Sequence, residues 1–238
     1  MPTPRSLRAV IFDVDGVLLA SPHERAWREA LDGFADPARF TTAFYQAHVA
    51  GKPRMDGARA ALEGLGVPDA ASRAAEYAAR KQAILEGLIA AGEFLAFPDA
   101  LRLAQVVHAR EMKIAAASSS KNAATMMRLT RLDDGNSLAS LLDADLSGHD
   151  VPHGKPAPDL FLAASAALGM SPPECVVVED APAGIQAGRA GGMATIGVAR
   201  FHDSALLEAV HADLVVTSLD QVDIDALVAG ILQQHGSR

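Results

Sequence analysis

The chain has 238 residues, of which 50% are hydrophobic and 21% are charged, a composition typical of a folded globular protein and not of a disordered one. Its 29 acidic residues against 21 Lys and Arg give a net charge of −8, which argues against a nucleic-acid-binding protein because such proteins need a basic face. The chain lacks an apolar run of about 18 residues, and its single cysteine fits a reducing compartment, so we expect a cytoplasmic protein without a membrane span or secretory signal.

The first predicted element is a strand over residues 8–15, "RAVIFDVD", which ends in Asp13 and Asp15. Residues 21–92 follow with an Ala-, Arg- and Glu-rich helical pattern punctuated by Gly and Pro, and without a convincing strand. A helical block placed after the first strand predicts a separate cap domain over 21–92. Residues 1–20 and 93–238 would then form the core domain.

Strands and helices alternate through the rest of the chain. The predicted strands are 113–119, a weak one near 141–146, then 175–180, 193–199 and 213–218. The predicted helices are 98–110, 122–132, 158–168 and 182–190. The strands are apolar without polar alternation, which is typical of a parallel sheet covered on both faces. We therefore predict an α/β fold with a doubly wound, Rossmann-like parallel sheet and an inserted helical cap.

Acidic and hydroxyl side chains follow the predicted strands at their carboxyl ends, where open α/β sheets bind ligands. Asp13 and Asp15 end one strand, Ser118 ends a second, and Glu179 and Asp180 end a third. Converging carboxylates repel one another unless a cation is present. Oxygen ligands without a Cys or His cluster select a hard ion, and Mg²⁺ is the expected cofactor.

Adding Lys155 and Ser118 to the acids and a magnesium ion produces the chemistry of a phosphoryl-transfer site. The lysine and the cation would neutralise phosphate oxygens, and a carboxylate could attack phosphorus to form an aspartyl-phosphate. We expect Asp13 to be the nucleophile. Asp15, two residues later, would carry the proton to and from the leaving oxygen.

Four motifs in this order resemble those of the haloacid dehalogenase-like phosphotransferases and hydrolases. They are "DVDGV" (13–17), "SSSKN" (118–122), "GKPAPDLF" (154–161) and "VVVEDAPAGIQA" (176–187). The resemblance implies that Asp13 is the nucleophile, Asp15 the acid and base, Ser118 a phosphoryl ligand and Lys155 a bridge between nucleophile and phosphate. It also implies that Mg²⁺ is bound by Asp13, the backbone carbonyl of Asp15 and Asp180, with Glu179 close by, and these four are the predicted metal residues.

Within this family the chain is similar to the β-phosphoglucomutase branch through "HERAW" (23–27), "GKPR" (51–54) and "ARKQ" (79–82). The implied substrate-binding residues are His23, Trp27, Gly51, Arg54, Lys81, Ser120, Lys121 and Asn122. Arg54 falls where the branch grips the second phosphate of its substrate. The chain also departs from the pattern, because Asp99 stands where relatives usually carry a glycine.

The leading hypothesis is phosphoryl transfer on a sugar phosphate, most like the conversion of β-glucose 1-phosphate to glucose 6-phosphate. The alternative is a phosphatase that hydrolyses a small phosphorylated metabolite with the same core residues. A third hypothesis is a silent regulatory domain, against which the intact set of core residues argues. The expected partner is a small phosphorylated sugar or metabolite, and neither a nucleic acid nor a membrane, for a monomer or weak homodimer.

Overall fold

The computed structural model describes residues 7–49, 52, 54–200 and 203–236. The chain divides into two compact units, one of Met1–Ala20 with Leu95–Arg238 and one of Ser21–Phe94. The second junction lies two residues beyond the predicted boundary at 92/93. In the described residues no helix is long and apolar enough to cross a bilayer.

The first unit is built on a six-stranded parallel sheet in the order β5-β4-β1-β6-β7-β8, with a separate antiparallel pair, β2 and β3. The strands are β1 (Ala9–Phe12), β2 (Leu19–Ala20), β3 (Leu95–Ala96), β4 (Lys113–Ala116), β5 (Ala144–Asp145), β6 (Cys175–Glu179), β7 (Ala194–Val198) and β8 (Leu214–Val216). Every residue of β1, β6 and β7 is buried, as expected for strands covered on both faces. This confirms the predicted α/β fold class.

Helices cover this sheet and connect its strands, and they agree closely with the predicted ones except in α6. They are α5 (Pro98–Ala109), α6 (Ala123–Leu129), α7 (Asp159–Ala167), α8 (Pro182–Ala190), α9 (Ser204–Ala209) and α10 (Ile224–Val228). The prediction extended α6 to residue 132, but Thr130 is extended and an isolated antiparallel bridge joins Arg131 to Ser137. Helices α9 and α10 were not predicted, because their six and five residues are too few for a clear helical period.

The described residues of the second unit form four α-helices, α1 (His23–Glu29), α2 (Thr42–His48), α3 (Arg54–Gly64) and α4 (Ala70–Ala90). Its core has aromatic residues at the centre: the ring centroids of Trp27 and Tyr77 lie 5.1 Å apart, and Phe34 lies 5.3 Å from Tyr77. The Tyr77 hydroxyl donates a 2.8 Å hydrogen bond to the Trp27 carbonyl, which fastens α1 to α4. Burial raises the pKa of this phenol well above its ordinary value, so it stays a hydrogen-bond donor at neutral pH.

Candidate active site

Four candidate residues of the first unit meet at one edge of the sheet because their strands run in parallel. β1 ends at Phe12, and Asp13 continues its ladder by donating its backbone N–H to the Val178 carbonyl at 3.0 Å. Ser118 lies just beyond the end of β4, and Glu179 and Asp180 lie at the end of β6. Parallel pairing of β1 with both β4 and β6 brings these ends together.

Lys155 lies between two of the acids, although it is distant from both in sequence. Its ammonium group donates 2.6 Å hydrogen bonds to Asp13 Oδ1 and to Glu179 Oε1. The side chains of Lys155, Asp13 and Glu179 are 14%, 9% and 2% exposed. Burial alone would lower the pKa of Lys155, but the charges and hydrogen bonds of the two carboxylates outweigh burial and raise it. The lysine therefore stays a cation and holds Asp13 in one orientation.

Glu179 is fully engaged with groups of the protein. Its Oε2 accepts hydrogen bonds from the backbone N–H groups of Asp180 and Ala181, both at 3.0 Å, while Oε1 accepts from Lys155. The carboxyl group packs against Gly184 of α8, where a Cβ atom would lie 1.9 Å from Glu179 Cδ. This arrangement fixes Lys155 through Glu179. The metal-binding role of Glu179 stays a prediction.

Asp180 lies against the turn that follows Asp15. Gly16 has φ of +90°, and a Cβ atom there would lie 1.9 Å from Asp180 Oδ2, so both the backbone and the space require glycine. Asp15 itself is half-buried and forms a bridge to Leu19. The turn that follows Asp15, the predicted acid and base, therefore packs closely against Asp180, a predicted metal ligand.

The carboxylates of this edge carry more negative charge than one lysine can balance. Burial raises the pKa of Asp13 from 3.8 to about 7; Lys155 opposes this rise, and the charges of Glu179 and Asp15 add to it. Burial, followed by the charges of Glu179, Asp13 and Asp15, raises the pKa of Asp180 well above its ordinary value. A divalent cation would relieve both.

The described residues contain no group of three or more His, Cys, Asp or Glu side chains placed to hold a metal ion. This still fits Mg²⁺, which usually keeps several waters and takes one or two protein carboxylates together with substrate phosphates. Asp13 and Asp180 are the two carboxyl groups whose raised pKa values show that their ionised forms need a cation. Glu179 is instead bound by Lys155 and backbone amides.

The loop after β4 is held by short-range hydrogen bonds. Ser118 is buried, its Oγ accepts from the Ser120 N–H at 3.2 Å, and its carbonyl accepts from the Gly148 N–H at 2.7 Å. The hydroxyl of Ser120 in turn accepts from the N–H of Asn122 at 3.3 Å. Lys121 is exposed and pairs with Asp150 at 3.6 Å. Ser118 thus lies rigidly at the edge occupied by Asp13.

In the helical unit the structure brings together three other candidates. Lys81 is only 3% exposed, and its ammonium group lies 2.8 Å from His23 Nδ1 and 5.0 Å from the centroid of the Trp27 ring. Arg54 is exposed at the first position of α3. Gly51 lies outside the described residues.

Two residues that shape the site were not predicted from the sequence. Gly184 makes room for the Glu179 carboxyl group. The Phe161 ring lies under Lys155, with the ammonium group 4.7 Å from its centroid. A glycine in the first turn of the helix after an acidic strand end is a signal that could have indicated the first. The second has no comparable signal in the sequence.

Comparison with known proteins agrees with this geometry. The family model for haloacid dehalogenase-like hydrolases matches residues 7–192. The chain belongs to this family. It is similar to a β-phosphoglucomutase of Mycobacterium bovis, at 33% identity over 92% of both chains. It is also similar to a fructose-1-phosphate phosphatase of Escherichia coli K12, at 33% identity over 79% of this chain and 95% of the relative.

Solved structures of haloacid dehalogenase-like proteins have the same architecture. An archaeal β-phosphoglucomutase from Pyrococcus sp. strain ST 04 is 32% identical with a TM-score of 0.75, covering 93% of this chain and 97% of its own. A β-phosphoglucomutase from Clostridium difficile is 26% identical with a TM-score of 0.73, covering 93% and 95%. The protein is therefore an enzyme of the phosphatase and phosphomutase class, and the predicted family is confirmed.

Proposed function

We propose that the protein catalyses Mg²⁺-dependent phosphoryl transfer on a sugar phosphate through an aspartyl-phosphate at Asp13, most like β-phosphoglucomutase. The observation that carries the proposal is the position of Lys155, whose ammonium group binds both Asp13 Oδ1 and Glu179 Oε1 at 2.6 Å. A buried cation on one oxygen of a buried carboxylate leaves the other oxygen of Asp13 for attack on phosphorus. It also supplies charge for the phosphate oxygens.

The chemical steps divide between the two aspartates. Asp13 attacks phosphorus while the bond to the leaving oxygen breaks, and Asp15 donates a proton to that oxygen. In the second half-reaction Asp15 accepts a proton from an incoming hydroxyl group, whose oxygen attacks the phosphorus and releases the Asp13 carboxylate. Ser118 would donate its hydroxyl hydrogen to a phosphate oxygen at the same edge. Lys155 keeps Asp13 oriented throughout.

We propose that Asp13, the backbone carbonyl of Asp15 and Asp180 hold the Mg²⁺ ion. When bound, the ion would neutralise the carboxylates and the phosphate oxygens. The supporting observation is electrostatic: burial and neighbouring acids raise the pKa of both Asp13 and Asp180, so their ionised forms need a cation. Glu179 serves this arrangement by holding Lys155 in place.

The metal proposal predicts a pH-dependent stabilisation. A carboxyl group whose folded-state pKa is raised stabilises the fold fully below its unfolded value, and this contribution is lost as the pH rises through the folded value. For Asp13 that window runs from 3.8 to about 7. Millimolar Mg²⁺ should therefore raise Tm by a few degrees near pH 8 and very little near pH 4. For a chain of this length, a change of about 2–4 °C in Tm corresponds to 1 kcal/mol of stability. Scanning calorimetry with Mg²⁺ or EDTA measures this.

The matched variant is Asp180→Asn, which removes one buried charge without changing side-chain shape. It should raise Tm near pH 8 in EDTA and abolish the shift produced by Mg²⁺. An equal Mg²⁺ shift in the variant and the wild type would contradict the proposed ligand set.

A mutase and a phosphatase would share every core residue and differ in what attacks the aspartyl-phosphate. A mutase needs a second phosphate anchor. We propose Arg54 for that role, because the guanidinium group of an arginine can bind phosphate with two parallel hydrogen bonds. We further propose that His23, Trp27, Lys81, Ser120, Lys121, Asn122 and Gly51 contribute substrate contacts, as the resemblance implies. The phosphatase alternative is favoured by the fructose-1-phosphate phosphatase relative at 33% identity.

The test is an assay on β-glucose 1-phosphate with a glucose 1,6-bisphosphate primer and separate readouts for glucose 6-phosphate and free phosphate. Accumulation of the isomer supports the mutase. Stoichiometric release of phosphate supports the phosphatase. Turnover of neither this compound nor a panel of phosphorylated sugars would contradict the proposed substrate class.

Replacing Arg54 separates the two activities further. Arg54→Ala should lower mutase turnover by about tenfold or more, the scale of a lost charge-assisted hydrogen-bond pair, and leave hydrolysis of a small aryl phosphate unchanged. Arg59→Ala is the matched control because Arg59 is also an exposed arginine of α3. Equal losses on both substrates would count against the anchor role.

A further inference from the structure

A second buried ion pair of the first unit lies beside the turn that follows Asp15. Arg200 comes after β7 and Asp99 lies in the first turn of α5. Arg200 Nη1 donates a 2.7 Å hydrogen bond to Asp99 Oδ2, and the two side chains are only 9% and 8% exposed. The guanidinium carbon lies 4.0 Å from the centroid of the Phe97 ring. The guanidinium group is therefore fixed on one face by an aromatic ring and on one edge by a carboxylate.

Asp99 is itself held by three further donors. Its Oδ2 accepts from the Ser218 hydroxyl at 3.0 Å and from the Leu219 N–H at 2.8 Å, and its Oδ1 accepts from the Ala100 N–H at 2.9 Å. Burial alone would raise the pKa of Asp99, but Arg200, the Leu219 N–H and the Ser218 hydroxyl lower it below its ordinary value. Asp99 is thus an ionised, immobile anchor for Arg200.

The remaining donors of Arg200 reach the turn. Its Nη2 donates to the Val17 carbonyl at 3.0 Å and its Nε donates to the Gly16 carbonyl at 3.3 Å. The turn closes with a 2.8 Å hydrogen bond from the Gly16 N–H to the Leu19 carbonyl. Gly16 adopts positive φ, and a glycine has more backbone freedom than any other residue. Arg200 therefore restrains the carbonyl of Gly16, the residue next to Asp15.

We propose that Arg200, anchored by Asp99, is a positioning residue that holds the turn at Gly16 and Val17 and thereby sets the position of Asp15. The inference rests on the proposed function, in which Asp15 is the acid and base. Asp99 balances the charge of Arg200, so the guanidinium group acts through directed hydrogen bonds and not as a phosphate site. A planar arginine holds its donors in a rigid fork that reaches a carboxylate and two carbonyls in separate directions, whereas a lysine directs all its donors from a single nitrogen atom.

The kinetic test compares two substrates that differ in their need for an acid. The leaving oxygen of an alkyl phosphate such as a sugar phosphate needs a proton, whereas p-nitrophenolate leaves without one. The value of kcat/KM includes only the steps up to departure of the leaving group. It therefore reports on the first half-reaction alone, in which Asp13 is phosphorylated. Arg200→Lys should lower kcat/KM for the sugar phosphate by about tenfold or more, part of the 10²–10⁴ supplied by an acid, and change that for p-nitrophenyl phosphate by less than about threefold.

The ratio of the two values does not depend on how much of the variant is folded. This matters because Arg200→Ala would leave Asp99 buried without its cation and could unfold the protein. Arg102→Ala is the matched control. Arg102 of α5 also makes a two-hydrogen-bond pair with an aspartate, Asp220, at 2.9 and 2.6 Å, but the two side chains are 56% and 49% exposed. Its ratio should equal that of the wild type.

Hydrogen exchange provides a readout that does not need turnover. Amides of residues 16–19 should exchange faster in Arg200→Lys than in the wild type, and those in Arg102→Ala should not change. An unchanged exchange rate in Arg200→Lys overturns the proposal, as does an equal loss of kcat/KM on both phosphates. A wild-type protein that turns over neither phosphate would overturn the proposed function, and hydrogen exchange would still decide whether Arg200 holds the turn.

Discussion

Replacement of Asp13 by Asn should abolish turnover of every phosphate ester, with a loss of at least about 10⁴-fold. The expected reason is that an amide oxygen is too weak a nucleophile to displace the leaving oxygen from phosphorus. Asn has the same shape as Asp, so the packing at the end of β1 is kept. Removing one of several buried acids should also make the variant no less stable than the wild type near pH 8.

The decisive measurement is acid quenching of a single turnover followed by peptide mapping. The wild type should carry a phosphoryl group on the peptide that contains Asp13, and Asp13→Asn should carry none. Asp145→Asn is the matched control, because Asp145 ends strand β5 of the same sheet, two strands away from β1, but is exposed. Its turnover should stay within about twofold of wild type, as is usual for surface changes. A phosphoryl group on another residue would overturn the assignment of the nucleophile, and an inactive wild type would favour a silent domain.

Replacement of Lys155 by Met should produce the second large effect, in both activity and stability. Turnover should fall by about 10²–10³-fold, the scale of removing one preorganised group that stabilises developing charge. The same change leaves Asp13 and Glu179 buried without their shared cation. Breaking a buried ion pair from one side costs about 3–5 kcal/mol, which corresponds to a loss of several degrees in Tm.

The stability loss in Lys155→Met should depend on pH in a defined direction. The charge of Lys155 lowers the pKa of Asp13, so without it the folded-state pKa rises further above about 7. The loss should therefore be small near pH 4, where Asp13 is protonated, and should grow as the pH rises through about 7. Thermal unfolding at these pH values in EDTA measures it.

Lys113→Met is the matched control for this prediction. Lys113 also bonds an aspartate, Asp143, at 2.6 Å, but the two side chains are 49% and 31% exposed. Exposed pairs contribute at most about 1 kcal/mol, so its Tm should change little. A comparable loss in the two variants would mean that burial is not what makes the Lys155 contacts important.

Much of the core fold could be predicted because its signal is local. The apolar runs at 8–15, 175–180 and 193–199 lack polar alternation, and all three are strands in the structure, each somewhat shorter than predicted. The two-residue strands β2 and β3 could not be predicted, since two residues carry no period. Their pairing depends on residues 19–20 meeting residues 95–96, which is a tertiary event.

The position of the candidate site could also be predicted, but the hydrogen bonds within it could not. Asp13, Ser118, Glu179 and Asp180 could be placed at one edge, because parallel strands present their carboxyl ends together. The sequence did not indicate how the charges are distributed among them. That Glu179 gives one oxygen to Lys155 and the other to two backbone amides depends on the close approach of α8 at Gly184.

The sequence alone determined the family, the parallel sheet and the identity of the acids, because motif order and apolar patterning are properties of the linear chain. Only the tertiary structure decided which side chains share hydrogen bonds. Lys155 reaches Asp13 across 142 positions, and Arg200 reaches Gly16 across 184. Such contacts depend on buried side-chain geometry, which a one-dimensional pattern does not record. In the cluster of acids, the Lys155 contact holds the carboxylate of Asp13, the proposed nucleophile, in one orientation.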